Sequence, residues 1–448
     1  MTGLDTATER SAGRRITFFV ALAVFAQEST WSFYDAQVPP LLREYLASTA
    51  LVGLIMGMDN LLGIFVQPWM GNRSDNTRTR WGRRIPYLVV GMPIAALLFA
   101  TLPLASSLPV LIAVIFAYAL VANSFKPVTE SLLPDFIRPE RRSRAAAAVK
   151  IATSLTIIVS ALISAFMIDS HPVLAFWVPS ALMLVAVTVL VTNIRDSTSP
   201  AYRSVEAEDA RAAEDALAAE NTPATENTPA AENAAQGGAP RATTSVWSVV
   251  ADIARDRNRD RLLVLVAILF FGGAWASVRA LITPYGMEVL GLSRGDAGGL
   301  TLSSGVVFIL VALPVALLSE RIGRLRVMGL GMALFAVAMV VGTVFATPAG
   351  TLVMLGLTAV AAAGFMVNAA VILWNLAPSA RVLGTYTGLY TVGYASGSFL
   401  GPALVGAMVD LTGWRFLLVD AALLAALAVV AVVPVELHRR RDPEAAAL

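Results

Sequence analysis

The chain has 448 residues, of which 57% are hydrophobic and 14% charged, with a formal net charge of +2 and a mean hydropathy of +0.70. Apolar stretches of membrane-spanning length recur throughout, which excludes a soluble globule and indicates an all-α polytopic membrane protein. There is no cysteine, so disulfides, thiolate metal sites and cysteine nucleophiles are excluded; the arginines cluster in loops, so no nucleic-acid-binding face is expected.

The N-terminus places Arg14 and Arg15 before a long apolar run. That opening is similar to a signal peptide, but the run exceeds cleavage length and no small-residue site follows, so an uncleaved first helix is expected. Spans of about 20 residues fall at 15–40, 49–71, 85–105, 108–134, 145–168 and 172–192, then at 261–286, 297–318, 324–346, 350–376, 382–408 and 413–435. Twelve spans put both termini on one side of the bilayer. The loops on that side carry Arg73, Arg78, Arg80, Arg83 and Arg84 after span 2, Arg138, Arg141, Arg142 and Arg144 after span 4, and Arg321, Arg324 and Arg326 after span 8. The opposite loops hold chiefly Arg43 and Arg294, an asymmetry that predicts cytoplasmic termini; the expected location is the inner, cytoplasmic membrane.

Between the sixth and seventh spans the composition changes. Residues 197–244 are rich in Ala, Glu, Asn, Thr and Pro, with ENTPA at Glu220–Ala224 and again at Glu226–Ala230, a composition expected of a flexible linker. Trp247, Val250 and Ile253 then recur at helical spacing among mixed charges, which predicts a short interfacial helix, with a partner-binding helix as the alternative. The expected organisation is a six-helix bundle over 1–195, linker and interfacial helix over 196–258, a second bundle over 259–437 and a tail over 438–448. The two bundles carry matching landmarks. Trp31, Asp35 and Pro39 correspond to Trp275, Arg279 and Pro284 at an offset near 244; Asp75 corresponds to Glu320 at 245, and Pro139/Arg142 to Pro378/Arg381 at 239. Three matches near one offset predict two related halves.

The informative residues are the charges inside the spans, because an ionisable group at the bilayer centre costs roughly 2.5–3.5 kcal/mol on insertion scales and faces a cavity or a partner. Glu28 and Asp59 fall near mid-membrane. Asp35 and Arg279 lie roughly 10 Å nearer the far side, and Lys126 and Glu130 nearer the termini. Glu28, Trp31 and Asp35 share one face of span 1, and Asn123, Lys126 and Glu130 one face of span 4. For Lys126 and Glu130 a bland reading is mutual pairing. Asp59 reads equally as a proton carrier or as a hydrogen-bonded packing residue. Tyr386, Tyr390 and Tyr394 recur at i+4 on span 11, either contacting substrate or joining helices, and Asn368, Trp374 and Asn375 on span 10 are weaker candidates of the same kind. His171 and His438 stand apart and make no metal site.

The loop Gly71–Pro86, G-x-x-S-D-x-x-x-x-R-x-G-R-R-x-P, resembles the loop between helices 2 and 3 of major facilitator transporters, in the glycoside/sucrose–cation symporter form. Six residues, Asn76 to Trp81, separate the acid from the glycine, where the short facilitator form has two. The resemblance covers the chain apart from linker and tails. It implies two pseudo-symmetric six-helix halves, a substrate site between them lined by helices 1, 4, 7 and 10, and no cofactor. On that basis Glu28, Trp31, Asn123, Lys126, Asn368, Trp374 and Tyr390 are candidates for substrate binding, a sugar or glycoside, and Glu28, Asp59 and Glu130 for proton coupling. Asp35, Arg279, Asp75, Arg80, Arg83, Arg84, Glu320 and Arg324 are candidates for gating. The acids that melibiose-type carriers place before the proline of helix 2, and one turn earlier, are Gln67 and Gly63 here, which favours H+ over Na+. Plant sucrose carriers have an arginine in helix 4 where this chain has Glu130, with Lys126 one turn away. A monomer is expected. No nucleotide-binding P-loop, catalytic triad or HExxH pair occurs, so an enzyme is not expected and an ion gradient would have to drive transport. A drug–proton antiporter and a non-transporting sensor are the alternatives, although span 5 lacks the Gly-Pro-rich motif of such antiporters.

Overall fold

The computed structural model describes residues 3–137, 139–200, 259–378 and 383–441, with isolated positions between 202 and 255. The linker, most of the expected interfacial helix, Arg138 and Arg381 lie outside the described residues, as do the side chains of Arg141, Arg142 and Arg144. Among the described residues, twelve helices are long and apolar enough to cross a membrane. They are α1 (Gly3–Arg43), α2 (Thr49–Asp75), α3 (Ile85–Thr101), α4 (Leu108–Phe136), α5 (Pro139–Ile163) and α6 (Pro172–Asn193), then α7 (Asp260–Glu288), α8 (Leu302–Ile322), α9 (Arg324–Val344), α10 (Pro348–Asn375), α11 (Leu383–Thr412) and α12 (Leu417–Arg441).

Local chemistry sets the boundaries. Ser48 caps α2, its hydroxyl accepting from Leu51 N, and Thr347 caps α10 by accepting from Gly350 N, each satisfying one orphan donor of a helix start. Proline stands at the start of α3, α4, α6 and α10, where its missing N–H costs nothing. Several ends depart from the expected spans, among them the starts of α1 at Gly3 and of α5 at Pro139. Span 8 begins as a separate short helix, Arg294–Gly299, before α8, because Gly298 and Gly299 are poor helix formers. α12 continues to Arg441 rather than ending at 435.

The packing repeats between halves. In the first, α1 packs on α5 and α6, α2 on α4, and α3 on α4 and α6; in the second, α7 packs on α11 and α12, α8 on α10, and α9 on α10 and α12. Each half has its own aromatic core, Phe33, Phe99, Phe176 and Tyr118 in one and Phe271, Phe335 and Phe365 in the other. Edge-to-face and tilted rings of this kind add about 0.5–1.5 kcal/mol per pair beyond area burial. Leu310, Leu313, Leu330, Val337, Val353 and Val430 are more than half exposed, an outward apolar surface that suits acyl chains. The halves meet along α2 with α11, α5 with α8, and α1 with α7. Glycines let helices approach closely within a half as well: Gly397 and Gly401 of α11 abut the backbone of Leu269 and Gly273 on α7.

Candidate functional site

Lys126 of α4 reaches Glu28 of α1, with Nζ–Oε1 at 3.0 Å. Both line a cavity of about 320 Å³ together with Glu130, Val20, Val24 and Thr153. The lining residues of α1, α4 and α5 all belong to the halves of those helices nearer the termini, so the cavity opens toward the terminal side. Lys126 lies within electrostatic reach of both Glu28 and Glu130, and it forms an ion pair with Glu28 across helices.

Two turns further along α1, Asp35 forms an ion pair with Arg279 of α7, both side chains partly exposed. The pair lines a smaller cavity of about 40 Å³ between the halves, with Ser32, Trp275, Ser304 and Thr358. Glu288, the other carboxylate within reach of Arg279 in the sequence, instead pairs with Arg43 at 3.0 Å. Asp59 is partly buried; its carboxylate accepts from Asn60 Nδ2 at 2.8 Å, and Asp35 and Lys126 are its charged neighbours.

The remaining substrate candidates do not line these two cavities. Trp31 is 8% exposed and packs against Tyr34 and Tyr118, with ring centroids 5.5 and 5.1 Å away. Asn123 is a strut between α2 and α4: its Oδ1 accepts from Gln67 Nε2 at 2.7 Å, and its Nδ2 donates to the carbonyls of Asp59 and Ala119. Its amide N–H groups are thus both committed within the protein. Asn368 is fully buried and donates to Ser319 Oγ and Gly364 O. Trp374 Nε1 donates to Thr387 Oγ1 at 2.9 Å, joining α10 to α11. Tyr390 stacks on Tyr394 with centroids 6.2 Å apart, and Tyr386 OH accepts from Arg261 at 3.1 Å. Trp31, Asn123, Asn368, Trp374 and Tyr386 thus join neighbouring helices, whereas Tyr390 stacks within α11.

On the terminal side the loop after α2 is knitted into a charge cluster. Arg84 bonds Asp75 at 2.5 Å and Asp135 at 3.0 Å, and Arg83 grips the same Asp135 through two nitrogens, at 2.6 and 3.2 Å. Asp196, just beyond α6, accepts from the backbone N–H groups of Arg83 and Arg84 at 2.6 and 2.5 Å. Burial pushes the Asp196 carboxyl above the usual carboxylate range, against the lowering effect of those two bonds. Gly82, at φ +102°, turns the loop so that its backbone lies against Asp196, a conformation that L side chains adopt at a cost. Arg80 instead lies over the Trp81 ring, 5.6 Å from its centroid. The matching place in the second half differs. Glu320 is exposed, Arg324 is partly buried, and the ion pair there joins Arg326 to Glu436 at 2.7 Å. Asp135 and Asp196 were not singled out in the sequence; their signal is an acid immediately following an apolar span and facing the Gly-Arg-Arg loop.

On the side away from the termini the halves are joined directly. Arg294 donates to Gln37 Oε1 at 2.8 Å and to the Gln37 carbonyl at 2.7 Å, and Arg43 both pairs with Glu288 and lies over Trp414. These bonds between described residues of the two halves lie outward of the Asp35–Arg279 level, whereas the Glu28–Lys126 cavity lies on its other side. Among the described residues the halves are bonded to each other at the far side, and the larger cavity lies toward the termini.

Twelve membrane-crossing helices, two equivalently packed halves and a charged cavity open to one side define a multi-pass membrane transporter. The sequence model of the Major Facilitator Superfamily matches residues 20–313 and again 264–448. The chain belongs to that superfamily. Its fold is similar to that of a mutant of the nucleoside transporter NupG, at TM-score 0.69 and 11% identity over 93% of this chain and 98% of that one. It is also similar to a bacterial homolog of the human lysosomal transporter Spinster in an inward-facing, occupied conformation, at 0.68 and 14% over 96% and 98%, and to a mutant of the peptide transporter POT in complex with sulfate, at 0.66 and 14% over 92% and 93%. A stretch of 81 residues is 33% identical to the membrane-associated transporter protein of Mus musculus, covering 18% of this chain and 15% of that protein. The Homo sapiens protein of the same description matches at 33% over 69 residues, 15% of this chain and 13% of that one.

Proposed function

We propose that this transporter is a proton-coupled symporter of a sugar or glycoside that works by alternating access, with both termini on the cytoplasmic side of the inner membrane. The observation that carries the reading is the Glu28–Lys126 pair on a cavity toward the terminal side. A carboxylate and an ammonium side by side supply the acceptor and the donors that bind vicinal hydroxyls. A sugar hydroxyl that takes over the Lys126 donor separates the pair and leaves the Glu28 carboxylate to accept a proton, which links substrate to proton. Asp59, whose carboxylate accepts from Asn60, is the second proton-carrying group. Trp31 packs inside the first bundle, so ring stacking on it is not part of this mechanism. The Asp35–Arg279 pair serves as the gate beyond the site, and the Asp75–Arg84 loop as the latch on the terminal side. The test is uptake of radiolabelled disaccharides into proteoliposomes with and without an imposed pH gradient. Accumulation of at least one sugar that collapses when the gradient is dissipated supports the reading; gradient-independent equilibration, or accumulation only of nucleosides, peptides or drugs, overturns it.

A further inference from the structure

At the far side each half donates one carboxylate to the other. Asp410, in the last turn of α11, crosses to the start of α2. Its Oδ2 accepts from Ser48 Oγ at 2.7 Å and from Ala50 N at 3.1 Å, and its Oδ1 accepts from Thr49 N at 2.7 Å. Asp169, just after the π-helical turn Ser164–Ile168 that ends α5, crosses in the opposite sense. Its Oδ2 accepts from Ser293 Oγ at 2.6 Å and its Oδ1 from Gly295 N at 2.9 Å.

The two arrangements are copies of one device. Ser48 and Ser293 stand 245 residues apart and Asp169 and Asp410 stand 241 apart, both within the range of about 239 to 245 that relates the halves elsewhere. Each serine is the N-cap of the element it opens, and each acid ends the helix that packs along that element. Below the Asp410 clasp the seam is backbone against backbone, with Gly53 of α2 facing the carbonyl of Pro402 and Gly406 of α11 that of Thr49, whereas below the Asp169 clasp Gly298 lies against the side chains of Gln37 and Ser164. A backbone seam has little side-chain area with which to hold itself shut, whereas a carboxylate on backbone N–H and hydroxyl donors forms charge-assisted bonds of about twice the usual strength. In contrast, Gly71 and Gly388, toward the terminal ends of α2 and α11, have open space about them.

We propose that Asp169 and Asp410 are a symmetric pair of clasps that hold the far side of the transporter closed, and that both release when the cavity opens to that side. Because one belongs to each half, rotation of the halves about their common axis breaks the two together, and loss of either shifts the population toward the far-side-open state. The proposal rests on the alternating-access reading but on no particular substrate or ion.

The test uses the absence of native cysteine. Ser106→Cys, between α3 and α4, and Ala349→Cys, at the start of α10, lie on opposite halves at the far side away from both clasps. Spin labels on this pair report the width of the far side by pulsed EPR on the full chain in lipid nanodiscs without substrate, so the outcome stands apart from whether a sugar is carried. Asp410→Asn and Asp169→Asn keep the shape but set an NH2 against N–H donors. Each is expected to add a longer-distance population, the double variant more than either, while the neighbouring exposed Asp296→Asn leaves the distribution unchanged. Should the double variant lose its monodisperse profile, Ser48→Ala with Ser293→Ala, which removes only the hydroxyl donors, is read in its place. An unchanged distance distribution in the folded double variant, or an equal shift from Asp296→Asn, overturns the proposal.

Discussion

Asp35 and Arg279 form an ion pair from positions 244 residues apart, so the same place in the two halves carries an acid in one and a base in the other. A pair between equivalent positions sits where the halves face each other, and its separation measures how far they have rotated. Both side chains are partly wet, at 28% and 39% exposed, which keeps the pair weaker than a buried one. Asp35→Arg alone and Arg279→Asp alone are expected to impair transport, and the double swap to recover part of it, with a coupling energy of roughly 0.5–3 kcal/mol in the double-mutant cycle. Strictly additive losses in initial uptake rate would show that the contact does not matter to turnover.

Glu28 and Lys126 are expected to separate binding from coupling. Glu28→Gln keeps a hydrogen-bonding group for hydroxyls but cannot carry the proton, so gradient-driven accumulation should be abolished while counterflow exchange persists. Lys126→Ala removes the donor and leaves Glu28 without its ion pair, so apparent affinity should fall by at least tenfold, roughly 1.4 kcal/mol or more. Counterflow and accumulation assays on the same proteoliposomes read the two separately; wild-type accumulation by Glu28→Gln would remove Glu28 from the coupling path.

These relationships differ in how far the sequence reveals them. The repeat offset brings Asp35 opposite Arg279, and the stripes of α1 and α4 bring Glu28 toward Lys126, because helical phase and pseudo-symmetry are both visible in residue spacing. Trp31 shows the limit of phase. Three residues of helix turn it about 60° away from the Glu28–Asp35 line, enough to aim it at Tyr118 inside the bundle instead of at the cavity. Asn123 and Asn368 are polar residues at plausible depth whose partners, a Gln67 amide and a Ser319 hydroxyl, come from neighbouring helices. Asp135, Asp196, Asp169 and Asp410 are harder still. Their partners include backbone N–H groups or arginines tens to hundreds of residues away, and no spacing rule encodes a backbone partner.

The terminal-side cluster divides into a structural part and a switching part by exposure. Asp135 is 7% exposed and shared by Arg83 and Arg84, at 9% and 4%, whereas Asp75 is 56% exposed. Asp135→Asn leaves two buried guanidiniums without their shared counter-ion, a class of change that costs roughly 3–5 kcal/mol, so a clear fall in Tm is expected. Asp75→Asn should cost no more than about 1 kcal/mol, slow turnover, and leave substrate affinity within a few-fold. Thermal melts with calorimetric binding on both variants check this; a collapse of binding in Asp75→Asn would make the loop part of the substrate site.

Asp196 gives the cluster a pH signature. Its Oδ2 carries both backbone bonds while Oδ1 is buried without a partner among the described residues, and burial holds its carboxyl above the usual range. The native state therefore keeps this proton more tightly than the unfolded chain does. In the window between the ordinary carboxylate range and the raised native value, folding takes up protons, so this group adds stability as pH falls and withdraws it as pH rises. Asp196→Asn keeps an oxygen for the two N–H donors and removes the titration, so it should melt close to wild type near neutral pH and lack the Asp196 contribution on mild acidification. Asp196→Ala leaves the N–H groups of Arg83 and Arg84 unpaired, at about 1–3 kcal/mol each, and should melt well below both at every pH. Melts of the three proteins across the acidic range decide the matter: superimposable pH profiles for wild type and Asp196→Asn would mean that the fold binds this proton no more tightly than the unfolded chain does.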